Sequence, residues 1–307
     1  MTLAVLLSGQ GGQHPGMFDL TADLPEAEAI FAAAASLLGD DPRALVRAGG
    51  PRLHENRAGQ ILVCTAALAA WTLVRDASPA RSLVAGYSIG DLAAWGCAGR
   101  FAPETVLRLA AARAEAMDAA AASGQGLAGI RGLPRSRIGA MAEARGCHLA
   151  ILNAPDSVVV GGALPSLETV CTEALAAGAQ RAVVLPVHTP SHTPILAGAT
   201  AAFQGILRSA PATRPPRGAP RLLSGLDGAP VFDGDAGLEK LGRQISHTID
   251  WAACLEAARE YGATRVLELG PGHALATMAR AALPGARIHA LEDFRSAAGV
   301  AEWLRAD

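Results

Sequence analysis

The 307-residue chain is 50% hydrophobic and 18% charged, with a formal net charge of −2. That length buries a full-sized core, in one large domain or two unequal ones, and that composition excludes a disordered chain. The charge gives no electrostatic case for nucleic acid or an anionic membrane as the main partner.

The basic residues are nearly all arginine, with Lys240 the one lysine, so each arginine is judged by where it sits. Five cysteines (Cys64, Cys97, Cys147, Cys171, Cys254) are widely spaced with no C-x-x-C pair. Free thiols in a reducing cytosol are expected, not a disulfide framework or a zinc site. The N-terminal apolar run Leu3–Leu7 is too short for a signal peptide and lacks a basic flank. No apolar stretch approaches the length of a membrane span, so the expected location is the cytoplasm.

Leu3–Ser8 reads as a buried strand closed by the glycine-rich Gly9–Gly12. Helical stretches follow over Pro25–Leu38 and Gln60–Val74. Arg81–Ala85 is a strand, Asp91–Gly96 opens a helix, and Pro103 with Glu104 starts another that reaches about Ala122. The rhythm then changes. Leu127–Leu133, His148–Asn153, Ser157–Gly161 and Arg181–Val187 read as strands, with helices over Arg135–Arg145 and Pro165–Ala177. This βαββαβ order is the ferredoxin-like pattern, inserted into a larger α/β domain. The expected boundaries are 124–187 for the insertion, and 1–123 with 188–307 for the large domain.

Pro194–Arg208 reads as a helix and the proline-rich Ala210–Pro220 as a surface connection. Leu222–Ser224 is a short strand, Leu238–Glu260 is largely helical, and Arg265–Leu269 is a strand. Gly270-Pro271-Gly272 then turns into a helix over His273–Ala282, with a last strand at Arg287–Leu291. Strands alternating with helices imply a mainly parallel sheet with sites at the strand carboxyl ends.

The sharpest local signal is Gly86-Tyr87-Ser88-Ile89-Gly90 between a strand and a helix, the context a nucleophile elbow requires. Its flanking glycines permit a sharp turn, and the Ile89 N–H at the helix start can face a developing oxyanion. A purely structural turn is the alternative. Gly9-Gln10-Gly11-Gly12 fails the dinucleotide pattern G-x-G-x-x-G, but such a turn exposes backbone N–H groups, here that of Gln10, as a second oxyanion donor.

A serine nucleophile needs a base, and His192 is the best placed histidine, in a loop between Pro190 and Pro194 at a sheet end. A surface loop histidine is the other reading. His188 lies four residues before it, yet Pro190 forbids the helix that would make the two a metal pair. Arg113 falls inside the apolar stripe Val106, Leu109, Ala110 and Met117 of its helix. A buried guanidinium requires an anion, and its fork suits a carboxylate. That anion is a ligand or a distant Asp or Glu of the chain.

Taken together, Ser8-Gly9-Gln10-Gly11-Gly12-Gln13, Gly86-Tyr87-Ser88-Ile89-Gly90-Asp91, Arg113, Asn153-Ala154-Pro155, Pro190-Ser191-His192, Arg243-Gln244 and Glu268-Leu269-Gly270-Pro271-Gly272 resemble the malonyl-CoA:acyl-carrier-protein transacylases along nearly the whole chain. The variants S-G-Q-G-G-Q-H-P and Gly-Tyr-Ser, with Ala94-Trp95-Gly96 behind them, look most like the epsilon subunit of malonate decarboxylase. The carrier in that system bears a phosphoribosyl-dephospho-CoA group.

The resemblance implies an α/β-hydrolase-like core with the ferredoxin-like insertion. It also implies a Ser88–His192 dyad, with the backbone carbonyl of Gln244 orienting His192. The oxyanion hole would be the N–H groups of Gln10 and Ile89, and Arg113 would bind the malonyl carboxylate. No cofactor or metal is implied, only malonyl-CoA as donor and a phosphopantetheine-type thiol on an acyl carrier protein as acceptor, in ping-pong order. The runner-up is an α/β-hydrolase-like thioesterase with Asp250 and His273 completing a triad in the order Ser, Asp, His. A non-catalytic carrier-docking subunit is the reading outside the enzymes.

Overall fold

Leu3–Leu7 forms strand β1 and is buried at every position, as a strand covered on both faces must be. The computed structural model describes residues 1–306. After β1 come helices α1 (Glu28–Leu38), α2 (Pro42–Ala48) and α3 (Asn56–Val74), then strand β2 (Ser82–Gly86) with helices α4 (Ile89–Cys97) and α5 (Pro103–Ala120). The middle of the chain contributes β3 (Gln125–Arg131), α6 (Arg135–Glu143), β4 (His148–Ala154), β5 (Ser157–Ala163), α7 (Leu164–Ala176) and β6 (Arg181–Val184). Helix α8 (Ala197–Ser209), β7 (Arg221–Leu222), α9 (Gly234–Arg243), β8 (Ile249–Asp250) and α10 (Trp251–Glu260) follow. The chain ends with β9 (Arg265–Leu269), α11 (Ala274–Ala282), β10 (Arg287–Ala290) and α12 (Ala297–Arg305).

The strands form two sheets. The larger has the order β10-β9-β1-β2-β7, and every pairing in it is parallel. Leu7 at the end of β1 lies level with Gly86 of β2 and Leu269 of β9. The loops after β1, β2 and β9 therefore leave the sheet side by side at its carboxyl edge, where open α/β sheets bind ligands.

The smaller sheet has the order β6-β3-β5-β4-β8. Its first four strands are antiparallel neighbours in the ferredoxin-like arrangement, with α6 and α7 packed against Val158, Val160 and Ile130. The inserted βαββαβ unit expected from the sequence is thus present. Its fifth strand was not expected: β8 joins parallel to β4, Ile249 pairing with Ile151. The stretch Leu238–Glu260, read as largely helical, is broken there into α9 and α10. Asp250 both ends β8 and caps α10, its side chain accepting from the Ala253 N–H at 3.0 Å.

Two short helices escaped the sequence reading. Asp41 caps α2 and Ser296 caps α12, each accepting a backbone N–H from the helix it starts. Contrary to expectation, one apolar stretch does reach the length of a membrane span. The 22-residue stretch 56–77 is apolar and long enough to cross a membrane, but 78% of its most apolar window is buried inside the fold. It is a core helix apolar on all sides, with α1, α4 and α5 packed around it.

Candidate active site

Ser88 sits between β2 and α4 at φ 57° and ψ −120°, a strained conformation for a residue with a Cβ. The strain falls on the serine itself. The flanking glycines, expected to supply the turn through conformational freedom, have ordinary φ and are needed instead for close approach. A Cβ on Gly86 would lie 2.1 Å from the Asp91 nitrogen, and one on Gly90 2.2 Å from the Leu7 oxygen. Helix α4 is thereby pressed onto the ends of β1 and β2, with the Ser88 hydroxyl left above the sheet. The Ile89 N–H opens the helix, where backbone donors have no intrahelical acceptor.

His192 is the second non-glycine residue with positive φ among the described residues, at 64°. Its backbone N–H donates to the Ile245 carbonyl at 2.7 Å, which fixes the turn from the outside. The ring is 1% exposed, so this is no surface loop histidine. Nδ1 lies 2.5 Å from the Gln244 carbonyl, which only accepts, so Nδ1 carries the proton. Nε2 is left as an acceptor 2.8 Å from Ser88 Oγ. Burial, reinforced by the charge of Arg113, pushes the imidazole down to about 3 against the pull of the Gln244 carbonyl. The ring is neutral at physiological pH, the form a general base needs.

Arg113 lies on α5 in the apolar stripe the sequence showed, buried with Val106, Leu109, Ala110 and Met117. Of the two anions the sequence left open, the internal one is absent: no carboxylate pairs with Arg113 among the described residues. Nη1 donates to Gln60 Oε1 at 2.8 Å, while Nη2 is buried without a partner. Burial lowers the guanidinium to about 10, opposed by Cys64 and Asp91, and it stays charged at neutral pH. A buried cation with an unused N–H is costly unless an anion arrives from outside. Gln60 is itself held by Asn56, whose amide also donates to Asp118 at 2.7 Å.

The loop after β1 closes the third side. A Cβ on Gly9 would come 3.0 Å from the Tyr87 carbonyl and 3.7 Å from the Ser88 Cβ, so this loop runs against the nucleophile's turn. Ser8 donates to the buried Glu268 Oε1 at 2.9 Å, and Glu268 also accepts the N–H groups of Leu275 and Ala276 at the start of α11. One carboxylate thus ties the ends of β1 and β9 to that helix. A cleft of about 360 Å³ is lined by Gln10, Tyr87, Ser88, Asn153, His192, Pro271 and Met278. Arg113, Ile89 and Gln244 do not line it.

The alternative triad is not assembled. Asp250 caps α10, and His273 pairs with Asp293 at 3.2 Å. Four polar residues of the site had no role assigned from sequence: Gln60, Asp91, Asn153 and Glu268. Gln60 was legible by the logic applied to Arg113, a polar residue in an apolar helical run. Asn153 accepts from the Tyr87 hydroxyl at 3.2 Å across the two sheets, a pairing that no linear spacing announces.

No family model matches the chain. A malonyl CoA-acyl carrier protein transacylase of Escherichia coli O157:H7 is 30% identical over 280 residues, covering 89% of this chain and 90% of that protein. The chain belongs to the malonyl-CoA:acyl-carrier-protein transacylase family. A transacylase of the same name from Mycobacterium bovis is 30% identical over 299 residues, 94% of this chain and 96% of the relative. Among solved structures, the acyl-carrier-protein S-malonyltransferase of Burkholderia pseudomallei 1710b superposes with a TM-score of 0.90 at 29% identity, over 99% of this chain and 100% of that one. A type II polyketide malonyl-transacylase solved with its acyl-carrier protein superposes equally well, with a TM-score of 0.90 at 27% identity over 98% of this chain and 99% of that one.

Proposed function

We propose that this member of the family moves malonyl from malonyl-CoA to the thiol of an acyl carrier protein through a malonyl-Ser88 intermediate. One observation carries the reading. A serine bonded to a neutral histidine lies within reach of the charge of a buried arginine that has no internal anion and an unpartnered Nη2. In the reading, residues 1–123 and 188–307 form the catalytic body and 124–187 the smaller lobe across the cleft.

Ser88 Oγ gives its proton to His192 Nε2 and attacks the thioester carbon. The negative oxygen of the tetrahedral adduct accepts from the N–H groups of Gln10 and Ile89. The carbon–sulfur bond breaks, and the CoA thiolate leaves with the proton from His192. The carrier thiol then gives its proton to the same nitrogen and attacks the malonyl ester, and the bond to Ser88 Oγ breaks as that oxygen takes the proton back from His192. The Gln244 carbonyl steadies the imidazolium in place of an acid, and Arg113 pairs with the malonyl carboxylate.

The test is a mass measurement. Malonyl-CoA leaves a malonyl adduct on Ser88, and a carrier thiol removes it much faster than water does. An adduct lost equally fast to water would mean a thioesterase, and a Ser88 that is never modified would refute the serine as nucleophile.

Within the family we assign the chain to malonate decarboxylation, as the epsilon subunit, in preference to fatty-acid synthesis. Support comes from Ser8, which stands in place of the proline of the transacylases' Pro-Gly-Gln start, and from Tyr87, which stands in place of the histidine of their Gly-His-Ser. In this structure they bond to Glu268 and Asn153. The acceptor is then a phosphoribosyl-dephospho-CoA thiol, and a faster transfer to ordinary phosphopantetheine would refute the assignment.

A further inference from the structure

The carbonyl that holds His192 belongs to a residue whose side chain is engaged elsewhere. Gln244 closes α9, and its Nε2 donates to Asp91 Oδ2 at 2.9 Å. The same oxygen accepts the Gly225 N–H at 3.0 Å. Asp91 lies in the first turn of α4, directly behind Ser88. One carboxyl therefore bridges the nucleophile's helix, the loop after β7 and the end of α9.

Both side chains are buried, and each has one oxygen without a partner among the described residues: Asp91 Oδ1 and Gln244 Oε1. Two orphaned acceptors in one acid–amide pair are costly. A single proton on Oδ1, donated to Oε1, removes both costs and closes a two-point ring. We propose that Asp91 is a positioning residue for His192: as the uncharged acid it pairs at two points with the Gln244 amide and so holds the Gln244 carbonyl against Nδ1.

The surroundings agree. Arg113 from α5, Asp227 from the loop after β7 and Cys254 from α10 are the ionisable groups that face this carboxyl. Burial dominates and raises it to about 7, while the Gly225 N–H, the Gln244 amide and Arg113 pull it down and Asp227 pushes it further up. At neutral pH and below the acid form is present; above it the donor to Oε1 is lost.

The proposal rests on His192 being the base, and the experiment separates the two. Full-length wild type, Asp91→Asn, Asp91→Ala and Ser88→Ala are compared in single-turnover acylation by malonyl-CoA from pH 6 to 8. Asparagine reproduces the neutral acid, since its amide donates to Oε1 and its carbonyl accepts from Nε2 and Gly225. Asp91→Asn should keep the saturating acylation rate within roughly threefold at pH 6, whereas Asp91→Ala loses more than about tenfold with the half-saturating malonyl-CoA concentration unchanged. The wild-type rate should decline above about pH 7, and the Asp91→Asn rate should not.

Infrared spectra give a readout independent of turnover: wild type at pH 6 shows the carbonyl stretch of a protonated carboxyl that Asp91→Asn lacks. If Asp91→Ala does not fold, the asparagine kinetics and this band decide. Loss of activity in Asp91→Asn, no loss in Asp91→Ala, or no infrared difference overturns the proposal. Unimpaired transfer by Ser88→Ala would instead overturn the catalytic reading on which it stands.

Discussion

Ser88 and His192 are the two non-glycine residues of positive φ among the described residues, and their side chains meet at 2.8 Å. Each strained conformation costs about 1–3 kcal/mol and persists only where surrounding structure enforces it. Here that structure is the tight seat of α4 and the bond from the His192 N–H to Ile245. Two such costs at one contact mark where fold stability is given up for geometry. Ser88→Gly and Ser88→Ala both lack the hydroxyl, but only alanine keeps the strained Cβ. The glycine variant is expected to be the more stable of the two by about 1 kcal/mol, a reversal of the usual order, with neither forming an adduct. Paired thermal or denaturant unfolding measures the difference.

The buried imidazole sets an acid limit that separates chemistry from folding. With the folded value near 3, acylation is expected to stay level well below the ordinary histidine value of 6.5. Stability behaves differently. Below 6.5 the unfolded histidine takes up a proton that the folded ring refuses, so this contribution is present above 6.5 and is lost as pH falls toward 3. The difference in melting temperature between wild type and His192→Gln, followed from pH 8 to 4, should shrink over that window. A difference independent of pH would place the ring in contact with water.

Replacing Arg113 separates carboxylate recognition from catalysis. Arg113→Ala is expected to cost about 3 kcal/mol in kcat/KM for malonyl-CoA, on the order of a hundredfold, with acetyl-CoA relatively spared. Lysine should restore little, because it cannot donate to Gln60 and a carboxylate through one planar fork. Equal losses for both donors would make Arg113 a structural residue.

The elbow glycines give a stability test. A methyl at position 90 meets the backbone oxygens of Leu7 and Ser8 at 2.2 and 2.6 Å, and neither can step aside without moving β1. Gly90→Ala should destabilise the fold by about 1–3 kcal/mol and slow adduct formation as Ser88 is displaced. Chemical denaturation and single-turnover acylation read the two effects separately.

What was legible in the chain followed from periodicity and from residues that break it. The buried strands, the βαββαβ insertion and Arg113 inside its apolar stripe are all local patterns, and each is present. The elbow was legible as a motif, although the physical reason for its glycines was not, since close approach to Leu7 involves a strand more than 80 positions away. Strand β8 was hidden because two residues carry no periodicity; only their partners Ile151 and Leu152 make them a strand. The Asp91–Gln244 and Tyr87–Asn153 contacts join residues far apart in sequence, and a single chain offers no signal for such pairs.

That two-residue strand governs how far the molecule can be taken apart. The small sheet is completed by Ile249 and Asp250, which belong to the region between α9 and α10. A fragment cut at 124–187 would leave β4 with a bare row of N–H and C=O groups, an open template for self-association. Transplanting this lobe between relatives therefore calls for carrying residues 249–250 with it, and a graft that omits them should precipitate before its specificity can be assayed.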